Sequence, residues 1–192
     1  MTLEVSLVDV RIELVDADAI LLPVDGQICR LGGAAASGLR LALAPEERAG
    51  EMDYLEHELA RLRPLPHPRA HAIDGVARWS KIIVSAAYPH NVDGAVFSPD
   101  DCARMVRSAL PVALAAAAEL QLASLATPLI GTAYRMPPDL AVRAFVDGLA
   151  AAAKLPICIR WSLPDPDHRR LARAACERLG LEISSDAASP SR

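Results

Sequence analysis

Two stretches of small residues carry most of the chemistry open to this sequence. Residues 24–37 read Val-Asp-Gly-Gln-Ile-Cys-Arg-Leu-Gly-Gly-Ala-Ala-Ala-Ser, and residues 128–138 read Pro-Leu-Ile-Gly-Thr-Ala-Tyr-Arg-Met-Pro-Pro. Each follows a short apolar run of strand type, 19–24 and 124–130. Where glycine and alanine replace bulk, backbone amides can approach an anion. Where such a loop opens a helix, the unpaired first-turn amides add to the attraction. The chemistry on offer is binding of a phosphate-bearing ligand. Its partners would be Asp25, Gly32, Gly33, Ala34 and Ser37 on one side and Gly131, Thr132, Ala133, Tyr134 and Arg135 on the other. Arg135 offers a charged fork and Tyr134 a stacking surface. Close packing accounts for such loops on spacing alone, and Arg135 and Tyr134 read equally well as a solvated arginine and a packing lid.

Other reactive groups carry less. His67 and His71 are four residues apart, but Pro66 and Pro68 exclude the helix that would present them together to a metal. The four cysteines, Cys29, Cys102, Cys158 and Cys176, form no C-x-x-C pair and read as small buried hydrophobes. No metal and no cofactor are expected. Ser37, Ser85 and Thr132 lie in no G-x-S-x-G elbow and read as backbone-bonding hydroxyls. His90-Asn91 lies in turn-like sequence beyond a strand. His168-Arg169-Arg170 with Arg173 reads as a solvated helix face.

The elements that position the two loops alternate between strand and helix type, which predicts a sheet covered by helices. Strands are expected at 3–10, 19–24, 70–76, 81–87, 124–130 and 157–162. The run Ala-Ile-Leu-Leu-Pro-Val at 19–24 is apolar throughout, as a strand buried on both faces should be. Helices are expected from the small-residue loop to about Pro45, over 51–62, from Ser98 to about 120, over 139–153, and from Asp165-Pro166 to Gly180. Ser98-Pro99-Asp100-Asp101 is a strong start signal: a hydroxyl cap, proline at the first turn and acids against the helix dipole. Arg63-Pro-Leu-Pro-His-Pro-Arg69 is a connector. The expected division is a single domain over 1–181 and a disordered tail over 182–192.

Composition narrows the class. The chain has 192 residues, with 52% hydrophobic and 23% charged, which is ordinary globular usage. A net charge of −4 argues against a nucleic-acid backbone as partner. No apolar run reaches the ~20 residues of a membrane span, and no secretory signal is visible. The expected location is the cytoplasm, without membrane contact.

The order of these segments resembles the macro domain, a family that binds ADP-ribose and processes ADP-ribose groups, including Appr-1"-p. Asp18-Ala-Ile-Leu-Leu-Pro-Val-Asp25 is similar to its V-D-A-I-V-N-A-A-N strand, and Leu31-Gly-Gly-Ala-Ala-Ala-Ser-Gly-Leu39 to its G-G-G-V-D-G-A-I loop. His71-Ala-Ile and Lys81-Ile-Ile-Val-Ser-Ala resemble a following strand pair. Leu110 to Ile130 resembles the helix and strand closing in S-I-A-F-P-L-L, and Gly131-Thr-Ala133 stands at the G-T-G phosphate loop. The resemblance spans about 3–179. It implies a three-layer α/β/α sandwich with a mixed central sheet and an ADP-ribose-like ligand, free or carried on a protein.

The departures from the family pattern shape the functional expectation. Arg11 stands where the family's adenine-reading aspartate would be, and a guanidinium cannot accept the adenine amino hydrogen bond. Leu22 and Asp25 replace the two asparagines of N-A-A-N. Ala36 stands at the loop acid of hydrolytic members and can neither activate nor orient water. The leading expectation is a binding module for ADP-ribose or a related nucleotide phosphate without efficient hydrolysis. Two alternatives stay open. One is a pseudo-binding domain, its cleft filled by Leu22, Ala36 and Met136, that serves protein association. The other is an ADP-ribosyl hydrolase using Asp25.

Overall fold

The computed structural model describes residues 2–88, 97–132 and 136–184. A seven-stranded sheet runs in the order β3-β4-β2-β5-β6-β1-β7. In chain order the strands are β1 (Glu4–Val8), β2 (Ala19–Asp25), β3 (Ala70–Asp74), β4 (Lys81–Tyr88), β5 (Ser124–Pro128), β6 (Cys158–Ser162) and β7 (Ile183–Ser184). Only β3 pairs antiparallel, against β4; every other pairing is parallel. The sheet is therefore mixed, in an α/β/α sandwich. β7 pairs with Val5 and Ser6 inside the stretch read as tail, and 185–192 lie outside the described residues.

Among the described residues five helices cover the sheet: α1 (Gly33–Ala42), α2 (Arg48–Arg61), α3 (Pro99–Glu119), α4 (Pro138–Ala151) and α5 (Pro166–Arg178). Alternation along the strands decides which side each residue serves. Ala19 and Leu21 of β2 join Ile83, Leu125, Ile159 and Trp161 against α3, α4 and α5. Ile20, Leu22 and Val24 join Ile82, Val84 and Ala86 against α1 and α2. Both faces of β2 and β4 are thus covered, which is why their sequences read as unbroken apolar runs. On the first face Phe145 of α4 stacks on Trp161 at a centroid distance of 4.2 Å. No described helix is long and apolar enough to cross a membrane.

Local chemistry fixes the ends. Ser98 Oγ accepts from the Asp101 amide, and the Asp101 side chain accepts from the Ser98 amide, closing the capping box that starts α3. Asp165 caps α5 through the amides of Asp167 and His168. Pro111 lies inside α3 and leaves the Arg107 carbonyl without its i+4 donor. Gly148 of α4 packs at this point; a Cβ there would lie 3.2 Å from the Arg107 oxygen and 3.0 Å from Leu110 Cβ. Asp18 joins the starts of β2 and β5, its Oδ2 accepting from the amides of Ala123 at 2.7 Å and Ser124 at 3.0 Å.

The first strand is shorter than its expected range of 3–10. After Val8 the chain turns out of the sheet and forms a single 3-10 turn over Ile12–Leu14. Ser162 Oγ donates to the Val10 carbonyl at 2.7 Å and the Leu163 amide to the Val8 carbonyl at 2.8 Å, so the end of β6 fixes this exit. The expected His67 loop is a tie between layers: its Nδ1 lies 2.7 Å from the Ala86 carbonyl and its Nε2 2.7 Å from Ser108 Oγ.

Candidate functional site

In a sheet of this kind the space beyond the carboxyl ends of the parallel strands is the natural ligand position. Two cavities open there, on either side of the α1 N-terminus. One, of about 330 Å³, lies beyond β1, β5 and β6; Arg11, Glu13, Ala34, Ser37, Thr132 and His168 line it together with apolar side chains. The other, of about 290 Å³, lies beyond β2 and β4 and is lined by Pro23, Val24, Asp25, Arg30, Gly32, Gly33 and Tyr88.

The α1 N-terminus between them is built for close approach. Gly32 is the N-cap in extended backbone with φ −158° and provides no side-chain cap. The first-turn amides of α1 therefore keep their hydrogen-bonding capacity for another acceptor. Gly33 has φ +71°, which glycine adopts without penalty. Among the described residues a Cβ at Gly32 or Gly33 would meet nothing within 4 Å, so there is room beside these glycines.

Glu13 gives the larger cavity its polar point. The 3-10 turn packs against α1 at Gly38, where a Cβ would lie 2.3 Å from Ile12 Cγ2; the absence of a side chain there lets the turn come in. Glu13 is only 7% exposed. Arg11 Nε lies 2.9 Å from Glu13 Oε1, while the Arg11 side chain is 70% exposed at the rim. The N–H is poorly aimed, and the buried Oε1 accepts no hydrogen bond. A buried carboxyl oxygen without a donor is costly unless something else supplies one.

The first loop is tied by Asp25. Its Oδ1 accepts from the amides of Gln27 at 3.1 Å and Ile28 at 2.8 Å. Gly26 is required next to it, since a Cβ would fall 1.8 Å from the Leu65 carbonyl oxygen of the proline-rich connector. Cys29 follows with φ +42° and its thiol buried; desolvation pushes its pKa up, so it is no nucleophile.

The second loop is arranged differently. The Gly131 amide donates to the Tyr88 hydroxyl at 3.3 Å, and Met136 packs beneath, with its Cε 2.4 Å from where a Gly131 Cβ would be. Gly131 lines neither cavity. Ala133, Tyr134 and Arg135, and also His90 and Asn91, lie outside the described residues.

Of the residues singled out in the sequence, Asp25, Gly32 and Gly33 thus meet in one cavity and Arg11, Ala34, Ser37 and Thr132 in the other. Leu22, Ala36 and Met136 line neither; they are packed in the two cores at 0%, 6% and 3% exposure. Glu13, Arg30 and His168 were missed. Arg30 carried no motif signal. His168, on a helix face that reads as solvated, lines the larger of the two cavities. Among the described residues no group of His, Cys, Asp and Glu forms a metal site.

No protein-family model and no curated protein matches this chain. Solved structures do match. A point mutant of the Oceanobacillus iheyensis macrodomain aligns with a TM-score of 0.69 over 90% of this chain and 90% of that one, at 18% identity. The chain has the macrodomain fold. A second mutant of that macrodomain, solved with ADPR, aligns at 0.69 with 17% identity over 90% and 91% of the two chains. The Trypanosoma brucei macrodomain in complex with ADP-ribose aligns at 0.63 with 17% identity, over 88% of this chain and 68% of that one. The α1 N-terminus and its flanking cavities are therefore features of a macrodomain fold whose sequence has diverged widely from these neighbours.

Proposed function

We propose that this chain binds ADP-ribose or a related nucleotide phosphate, free or attached to a protein, without efficient hydrolysis. The observation that carries this reading is the α1 N-terminus: an uncapped helix start with room beside Gly32 and Gly33, next to two cavities at the carboxyl ends of the strands. The pyrophosphate lies against these amides. The cavity beyond β1 and β6 takes the nucleoside, with Thr132, Ser37 and Glu13 among its polar lining. The cavity at Asp25 and Tyr88 takes the sugar or the substituent beyond the second phosphate, and Arg30 faces the charge. The likeness to macrodomains solved with ADP-ribose supports the ligand class.

Weak hydrolysis follows from what the first loop lacks. Ala36 is turned into the α1 core. Asp25 uses Oδ1 on two loop amides, which supports a holding role over that of a general base. The open cavities favour ligand binding over a cleft filled by Leu22, Ala36 and Met136 and devoted to protein association.

The test is isothermal titration with ADP-ribose on the parent chain and on Gly32→Glu. Gly33→Glu would mix strain at φ +71° with charge, whereas the extended φ at Gly32 accepts any residue. Binding in the parent and its loss in a folded Gly32→Glu chain support the proposal; equal affinity in the two removes the phosphate from α1.

A further inference from the structure

The pairing of Arg11 with Glu13 bears on which base the nucleoside cavity accepts. Both residues line one cavity, otherwise walled largely by Ile12, Leu41, Pro128, Leu129, Leu163 and Pro164. Glu13 is more than nine-tenths buried, and its Oε1 has no hydrogen-bond donor. Arg11 lies beside it with its Nε 2.9 Å away and the rest of its side chain in solvent at the rim. An apolar pocket thus presents a carboxylate, which only accepts, next to a guanidinium, which only donates.

We infer that this cavity selects a 6-oxopurine with a 2-amino group, the guanine edge, over adenine. The inference rests on the reading of the α1 N-terminus as the phosphate site. Guanine carries N1–H and the 2-amino N–H side by side, with O6 as an acceptor next to them. Two adjacent donors match the two oxygens of one carboxylate, and O6 meets the Arg11 guanidinium. Adenine presents one donor, the 6-amino group, beside the N1 lone pair. Against Glu13 it satisfies one oxygen and leaves a lone pair opposed to the other. In a largely apolar cavity an unmatched polar pair is the main source of discrimination, because a buried group left without its partner is costly. Arg11 and Glu13 are two residues apart on one 3-10 turn, itself fixed by Gly38 and by the Ser162 to Val10 hydrogen bond, so the donor and acceptor are held together.

The experiment is titration of the full chain with GDP, IDP, ADP and ADP-ribose under one buffer and salt condition. The expected order is GDP tightest, IDP intermediate for want of the 2-amino donor, and ADP at least tenfold weaker than GDP. Glu13→Gln, which replaces one acceptor oxygen by a donor, is expected to reduce the GDP preference at least tenfold. Arg11→Ala, at an exposed position that does not threaten folding, is expected to weaken GDP and IDP more than ADP. ADP binding as tightly as GDP, or a GDP preference untouched in Arg11→Ala, overturns the base assignment and leaves the phosphate site standing if both ligands are lost in Gly32→Glu. Silence toward all four ligands overturns both.

Discussion

Replacing Gly38 by alanine tests whether the 3-10 turn is held against α1 as described. The new methyl would lie 2.3 Å from Ile12 Cγ2, a branch on Cβ that cannot swing aside, and 3.5 Å from the Glu13 amide. Two terms of opposite sign compete. Glycine inside a helix is worse than alanine by about 0.5–1 kcal/mol, so the substitution gains that much. Overpacking of a closed contact costs about 1–3 kcal/mol, and here the neighbour is buried at 5% exposure. The expected net result is a loss of about 1–2 kcal/mol. Gly50→Ala is the matched control: it lies in α2, where a Cβ would meet nothing within 4 Å, so only the propensity gain of about 0.5–1 kcal/mol remains. The two variants are expected to move the urea midpoint in opposite directions and to separate by about 3–12 °C in Tm, at roughly 2–4 °C per kcal/mol for a chain of this size. Gly38→Ala should also weaken nucleotide binding, because it displaces Glu13 and Arg11. A Gly38→Ala chain as stable as Gly50→Ala would refute the close approach.

Three further outcomes can be checked on the same preparations. Asp18→Ala removes the acceptor of the Ala123 and Ser124 amides and should cost about 1–3 kcal/mol in urea unfolding, with Asp18→Asn costing less because it keeps an oxygen; equal losses in the two would contradict the hydrogen-bond account. The Ser98 hydroxyl and amide hold Asp101 below its ordinary value of 3.8, so its stabilising effect is present above that value and lost as pH falls from there through the lowered folded value; the Tm difference between the parent and Asp101→Asn should shrink below about pH 4. Burial pushes the Cys176 thiol up to about 11 and also raises Cys29 and Cys102, so at neutral pH a thiol reagent should leave all three unmodified until the chain unfolds. Rapid labelling of Cys176 in the folded chain would show that α5 opens.

Much of the frame was legible because local rules and tertiary demands agree. The run at 19–24 reads as a doubly buried strand because it lies between two parallel neighbours inside the sheet, and Ser98-Pro99 and Asp165-Pro166 cap their helices through local hydrogen bonds. Sheet order was less visible, since β1 lies between β6 and β7 through pairings over 150 residues away in sequence. The loop glycines 32 and 33 signalled an uncapped helix start through composition alone. Glu13 was not legible, because an acid two residues after Arg11 in a broken alternation looks like surface; only the turn after Val8 and the vacancy at Gly38 carry it inward. At Gly131 the sequence does not show the tertiary partner. Its sequence suits a phosphate loop, but Tyr88, 43 residues away, occupies its amide.

The most direct test of the account is calorimetry of ADP-ribose with the parent chain and with Gly32→Glu, both shown to be folded. The account predicts saturable binding at micromolar concentrations that disappears when an acid is placed before the α1 amides. No heat from the parent chain with ADP-ribose or any of the nucleoside diphosphates, or equal binding by the two chains, would contradict it.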